Sequence, residues 1–140
     1  RSRRQRQMCI RDSSKAYGLA GARIGYAFGP RPIIEALNKV SIPFSVSAVA
    51  QEAALASLEA QEALRARIDG TVAERSRVVD RLGLAESQAN FVWLPDVGRE
   101  LAGRLAAEGV LVRAFPEGIR VTVTNAEETD ALLEAFSRAQ

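Results

Sequence analysis

The chain has no histidine and one cysteine, Cys9. Without an imidazole, Ser/His/Asp and Cys/His nucleophile arrangements drop out, and so do the usual Cys/His zinc sets. A single cysteine cannot close an internal disulfide, and no metal site is expected. Long apolar runs are also missing: nothing approaches the roughly 20 residues that a membrane span needs, and the basic start is not followed by the apolar stretch of a signal peptide. The expected compartment is the cytosol, with no membrane partner. Internal repeats and low-complexity stretches are absent as well.

What the chain does have is an ordinary globular composition, with 47% hydrophobic and 26% charged residues, enough for a packed core. The pI near 9.1 would suggest nucleic acid, but the charge is unevenly placed. Residues 1–13 hold Arg1, Arg3, Arg4, Arg6 and Arg11 against Asp12, a net of +4, which leaves the rest of the chain at −2. The basic character belongs to this leader, and no nucleic-acid partner is expected of the remainder.

The leader shows no helical or strand period. Residues 3–12 can be written as CGT CGG CAG CGT CAG ATG TGT ATA AGA GAC, which resembles a transposase adapter used to prepare sequencing libraries. Residues 1–13 are therefore expected to be a non-native scar, outside the fold, with the natural protein continuing upstream. The competing readings are a solvated basic tail and a nucleic-acid arm, and the arm would lose its affinity on deletion of residues 1–13.

From Ser14 onward, strand-like and helix-like pieces alternate, the pattern of an α/β or α+β protein. Residues 23–29 (RIGYAFG) form a short apolar strand stopped by Gly29-Pro30, and Pro32 suits the first turn of a helix through Val40. Ser47 is the N-cap expected for an alanine-rich helix to Glu59. A longer helix over residues 61–82 carries Leu64, Ile68, Val72, Arg75, Val79 and Leu82 at spacings of three and four, with Gly83 as its stop. A strand over residues 90–94 and a helix over 98–107 capped at Gly109 follow.

Phe115-Pro116-Glu117-Gly118 fits a type I turn. That turn pairs Val110 with Val123, Val112 with Val121 and Ala114 with Ile119 on one apolar face, and sets Arg113 opposite Arg120 on the other. Thr124 with Glu127, or Asn125 with Glu128, makes a capping box for a final helix carrying Leu132, Leu133 and Phe136.

The stretch richest in chemistry is Ser14-Lys15-Ala16-Tyr17-Gly18-Leu19-Ala20-Gly21-Ala22-Arg23-Ile24-Gly25-Tyr26. Taken alone, Lys15 reads as a solvated lysine and Arg23 as a strand-flanking arginine, although three close glycines suggest a tight turn or a close approach. Arg113 and Arg120, taken alone, read as two side chains splayed into solvent or as the grip on an anion held between them. Asn90 stands at a strand start, while Trp93, Tyr17 and Tyr26 are assigned to packing.

As a whole, SKAYGLAGARIGY resembles the lysine segment of class I/II aminotransferases, the fold type I enzymes that use pyridoxal phosphate. The resemblance runs over residues 14–140 and leans toward histidinol-phosphate aminotransferases and the actinobacterial aromatic amino acid (phenylalanine) aminotransferases. Pro43-Phe44-Ser45-Val46-Ser47, Gln88-Ala89-Asn90-Phe91-Val92-Trp93 and Val112-Arg113-Ala114-Phe115 carry the aromatic lean.

The resemblance implies the C-terminal part of an α/β, fold type I aminotransferase: residues 14–59 as the remainder of the large cofactor-binding domain and residues 60–140 as the small domain. It implies pyridoxal 5′-phosphate as cofactor, with Lys15 as the catalytic Schiff-base lysine and Ser14 and Arg23 as phosphate ligands. Arg120 is then the arginine that grips the substrate carboxylate, Arg113 its neighbour for a second phosphate or carboxylate, and Asn90 a weaker substrate-side candidate.

Amino transfer from an aromatic amino acid or histidinol phosphate to a 2-oxo acid such as 2-oxoglutarate, in a homodimer, is the implied function. Asp12 stands where the family carries a Ser or Thr, and Ser13 where a hydrophobic residue is usual. The family's aspartate for the pyridine nitrogen, its tyrosine for the cofactor oxygen and its ring-stacking aromatic fall before the lysine, so the 140 residues alone are expected to be inactive. The alternative is a non-catalytic α+β module that binds an anion through Arg113 and Arg120.

Overall fold

A computed structural model describes residues 9–139. The chain divides into two compact units, Arg1–Arg65 and Ala66–Gln140.

In the first unit, β1 (Cys9–Asp12) pairs antiparallel with β2 (Gly25–Phe28), with Cys9 opposite Phe28 and Asp12 opposite Gly25. Part of the leader thus lies in a strand, where the sequence showed no period. A ladder is made by backbone N–H and C=O groups, and four residues are too few to display an alternation. The rest of the leader, residues 1–8, lies outside the described residues.

Helices α1 (Arg31–Val40), α2 (Ala48–Glu59) and α3 (Gln61–Leu82) follow at close to the expected bounds. The Ser47 hydroxyl accepts the Ala50 N–H at 3.2 Å, which satisfies one of the donors left open at the start of α2. Ala50 is the one buried apolar side chain described in this unit, while Tyr26, Phe28, Val40, Ile42, Phe44 and Val49 are exposed. Tyr26 stacks on Phe28, with ring centroids 6.5 Å apart.

The second unit holds the core. Its sheet has the order β3-β5-β4, all antiparallel, from β3 (Phe91–Pro95), β4 (Arg113–Phe115) and β5 (Gly118–Thr122). Side chains alternate across a strand, so Val92, Leu94, Ile119 and Val121 point to one face and are buried. Against them pack Leu101 and Leu105 of α4 (Arg99–Ala107), Leu132, Ala135 and Phe136 of α5 (Ala126–Ala139), and Val78 of α3.

The buried stripe of α3 is displaced from the expected one. Val78 is fully buried and Val79 and Leu82 pack partly against the core, whereas Ile68 and Val72 are each 40% exposed. The hairpin register is as expected for Arg113 with Arg120, Ala114 with Ile119 and Phe115 with Gly118. Pairing stops there, so Val110 and Val112 reach the core as partly buried loop residues rather than strand partners of Val123 and Val121.

Of the two capping pairs, Asn125 with Glu128 is used: the Glu128 N–H donates to Asn125 Oδ1 at 2.9 Å. The Thr124 hydroxyl donates to the Glu128 carboxylate. Exposed ion pairs join α5 to its neighbours, Arg138 with Glu108 at 2.6 Å and Arg77 with Asp130. Each arginine's pKa is raised above its ordinary value, chiefly by these hydrogen bonds. Among the described residues no helix is long and apolar enough to cross a membrane.

Candidate functional site

The predicted site residues fall into two groups, one in each unit. In the first unit, Ser14, Lys15 and Arg23 lie on the loop joining β1 to β2. A left-handed glycine, Gly18 at φ 71°, lets the chain fold back so that its N–H donates to the Lys15 carbonyl at 2.9 Å. The Leu19 N–H reaches the Ser13 carbonyl at 3.1 Å, and the Ser13 hydroxyl donates to the Ile24 carbonyl. The backbone on both sides of Lys15 is therefore fixed, while its side chain is exposed.

A short 3-10 turn, Ala20–Ala22, then ends at Arg23, which takes a left-handed conformation at φ 51°, ψ 44°. For a residue with a long side chain this conformation costs on the order of 1 kcal/mol, and such costs concentrate at functional positions. Arg23 Nη1 donates to the Ala20 carbonyl at 3.0 Å, so the guanidinium is braced by the turn that it terminates. Ser14 is half-buried.

In the second unit, the sheet face opposite the core carries Phe91 and Trp93 of β3, Gly118, Arg120 and Thr122 of β5, and Arg113 and Phe115 of β4. Arg120 is on the central strand, with Trp93 opposite it on one side and Arg113 on the other. The backbones of the two arginines therefore face each other, as the register required, and each head lies over a different ring. The Arg120 guanidinium carbon lies 5.4 Å from the Phe91 ring centroid, and that of Arg113 lies 5.4 Å from the Phe115 ring.

Phe91 is level with Thr122 and Phe115 with Gly118, four residues apart along β5, or about 13 Å. The two arginines thus reach rings based at different levels of the sheet. Among the described residues, Arg120 Nε is the one buried side-chain nitrogen or oxygen without a hydrogen-bond partner.

Trp93 is a correction to the sequence reading. It is 36% exposed and stands on the arginine face, with its ring 5.8 Å from Phe115 and tilted by 55°. The two rings meet across Gly118. A Cβ at that position would come within 2.2 Å of the Leu94 carbonyl oxygen and 2.8 Å of Trp93. Phe91 and Trp93 are not distinguishable as residues of this face from the sequence because NFVWL is apolar at nearly every position, so its alternation is hidden, and Phe115 reads as a turn residue.

Asn90 precedes β3 and is exposed. Its carbonyl accepts the Val123 N–H at 2.9 Å, and the preceding Ala89 carbonyl accepts from Arg75 at 3.0 Å.

Comparison with known proteins gives the family of the chain. The family model "Aminotransferase class I and II" matches residues 8–136. An aromatic amino acid aminotransferase of Corynebacterium efficiens is 61% identical over 128 residues, covering 91% of this chain and 37% of that protein. Its counterpart in Corynebacterium glutamicum is 59% identical over 128 residues, covering 91% and 38%.

The crystal structure of histidinol-phosphate aminotransferase from Sinorhizobium meliloti, in complex with pyridoxal-5′-phosphate, superposes with a TM-score of 0.79 at 30% identity, covering 94% of this chain and 40% of that one. The chain thus spans little more than a third of the length of these two curated relatives. With the family match running over nearly all of it, the chain belongs to the class I and II aminotransferases.

Proposed function

We propose that the protein carrying this chain transfers an amino group between an aromatic amino acid and a 2-oxo acid such as 2-oxoglutarate, using pyridoxal 5′-phosphate. The observation that carries this reading is the braced loop, where an amine, a hydroxyl and a guanidinium sit on one segment held by backbone bonds and by the Ser13 and Arg23 side chains bonded to its own carbonyls. That donor set suits a phosphate-bearing aldehyde: a primary amine for the aldehyde, and Ser14 with Arg23 for the phosphate.

When bound, the cofactor supplies the electron sink for charge developing at the substrate α-carbon. Lys15 Nζ is the group that would hold the aldehyde carbon, and, once displaced by the substrate amine, would move the proton at the substrate α-carbon. Ser14 and the Arg23 guanidinium would hold the phosphate through charge-assisted hydrogen bonds. Arg120 would grip the substrate carboxylate and Arg113 a second anionic group. That the two heads lie over different rings supports two anions rather than one. Asn90 is proposed as a substrate-side residue at the start of β3.

The aromatic donor is favoured by the names of the curated relatives and by Trp93 and Phe115 on the arginine face. Histidinol phosphate is the competing donor, with Arg113 as its phosphate ligand. Comparing kcat/KM for phenylalanine and histidinol phosphate in the full-length protein, with 2-oxoglutarate as acceptor, decides between them. Phenylalanine is expected to lead, and a preference for histidinol phosphate would reverse the assignment. The same reading makes the whole protein a cytosolic homodimer with sites at the subunit interface.

A second reading, a non-catalytic anion-binding module, is favoured by the unpartnered Arg120 Nε. Anion binding that survives Lys15→Ala and is lost in Arg120→Ala, with no absorbance band on adding pyridoxal phosphate, would replace the enzyme reading with this one.

A further inference from the structure

We propose, resting on the reading of Arg120 as the carboxylate arginine, that Phe91 is its positioning residue: the ring holds the guanidinium in place without neutralising it. Four arginines elsewhere in the chain are steadied by carboxylates: Arg31 by Glu35, Arg77 by Asp130, Arg104 by Glu100 and Arg138 by Glu108. A carboxylate partner would compete with an incoming substrate carboxylate for the same donors. An aromatic face attracts the cation through its quadrupole and leaves the charge in being.

The surroundings of Arg120 fit this device. Its cross-strand partners are Trp93 and Arg113, neither of which offers a strong acceptor. Its Nε is buried with no hydrogen-bond partner, and the guanidinium carbon stands 5.4 Å from the centre of the Phe91 ring. A buried N–H left without an acceptor is costly, so a compensating attraction is needed at this point, and the ring is the group that supplies it.

Phe91 is itself anchored. The Ser87 hydroxyl donates to the Phe91 carbonyl at 2.7 Å, and the adjoining Ala89 and Asn90 carbonyls are bonded to Arg75 and Val123. The same arrangement recurs at Arg113 over Phe115, also at 5.4 Å.

The test is titration calorimetry on the full-length protein with two probes, 3-phenylpropanoate and its uncharged amide. Phe91→Leu keeps an apolar side chain but removes the π face. It is expected to weaken carboxylate binding about 10-fold while leaving amide binding unchanged, and Phe91→Tyr is expected to bind the carboxylate within about 2-fold of the unaltered protein. Unchanged carboxylate affinity in Phe91→Leu, or equal loss of both probes, overturns the proposal. Arg120→Leu separates the two levels. If it too leaves carboxylate affinity unchanged, the reading of Arg120 has failed, whereas if it abolishes binding and Phe91→Leu does not, only the role of Phe91 has failed.

Discussion

Arg113 and Arg120 face each other across paired strands, where like charges repel, and the chain relieves the conflict by sending each head to its own aromatic ring. The register was legible in the sequence because the turn residues and the alternation agree on it. The direction of each head was not, since it depends on aromatic neighbours supplied by two different strands. Trp93 was hidden for a related reason: Val92 and Leu94 enter the core while Phe91 and Trp93 leave it, yet all four are apolar.

Gly118 is what lets Trp93 meet Phe115, and its φ of 154° is one that other residues rarely adopt. Gly118→Ala is expected to destabilise the protein by about 3 kcal/mol, through backbone strain and the clash with the Leu94 carbonyl. The tryptophan is unique in the chain, so its fluorescence should shift as the ring is displaced. A urea midpoint and an emission spectrum both matching the unaltered protein would contradict this.

At the level of elements, the helix ends were the most readable features, because caps and stops are local chemistry. Ser47 caps α2, and Gly83 and Gly109 take left-handed conformations after α3 and α4. Asn125 caps α5 with its side-chain oxygen, and Asn125→Ala is expected to cost about 1 kcal/mol in denaturant unfolding. A loss near zero would mean that Thr124 or solvent takes over the cap.

The buried stripe of α3 was misplaced because a 22-residue helix offers more than one apolar line, and the sheet it meets selects among them. β1 was unreadable from side chains, since its place is set by backbone bonding to β2. The lysine loop was legible as a motif. Its bracing by Ser13, Gly18 and Arg23 depends on conformations that the residue types permit but do not dictate.

Across the whole molecule, burial is unequal between the units. The second has a sheet packed on α4 and α5, whereas Ala50 is the one buried apolar side chain described in the first. The cofactor-side candidates lie in the first unit and the carboxylate-side candidates in the second. Since the chain spans 37–38% of the Corynebacterium enzymes, the 140 residues alone are expected to give no sustained transamination of phenylalanine with 2-oxoglutarate. Continued product formation by the isolated chain would contradict that.

The central claim is that Lys15 holds the cofactor, and the chain supplies its own control, because Lys39, exposed near the end of α1, is its one other lysine. The full-length protein, loaded with pyridoxal phosphate, reduced with borohydride and digested, can be read by mass spectrometry for the position of the pyridoxyl label. The label is predicted on the peptide containing Lys15. A label on Lys39, or on no lysine of this chain, would contradict the account.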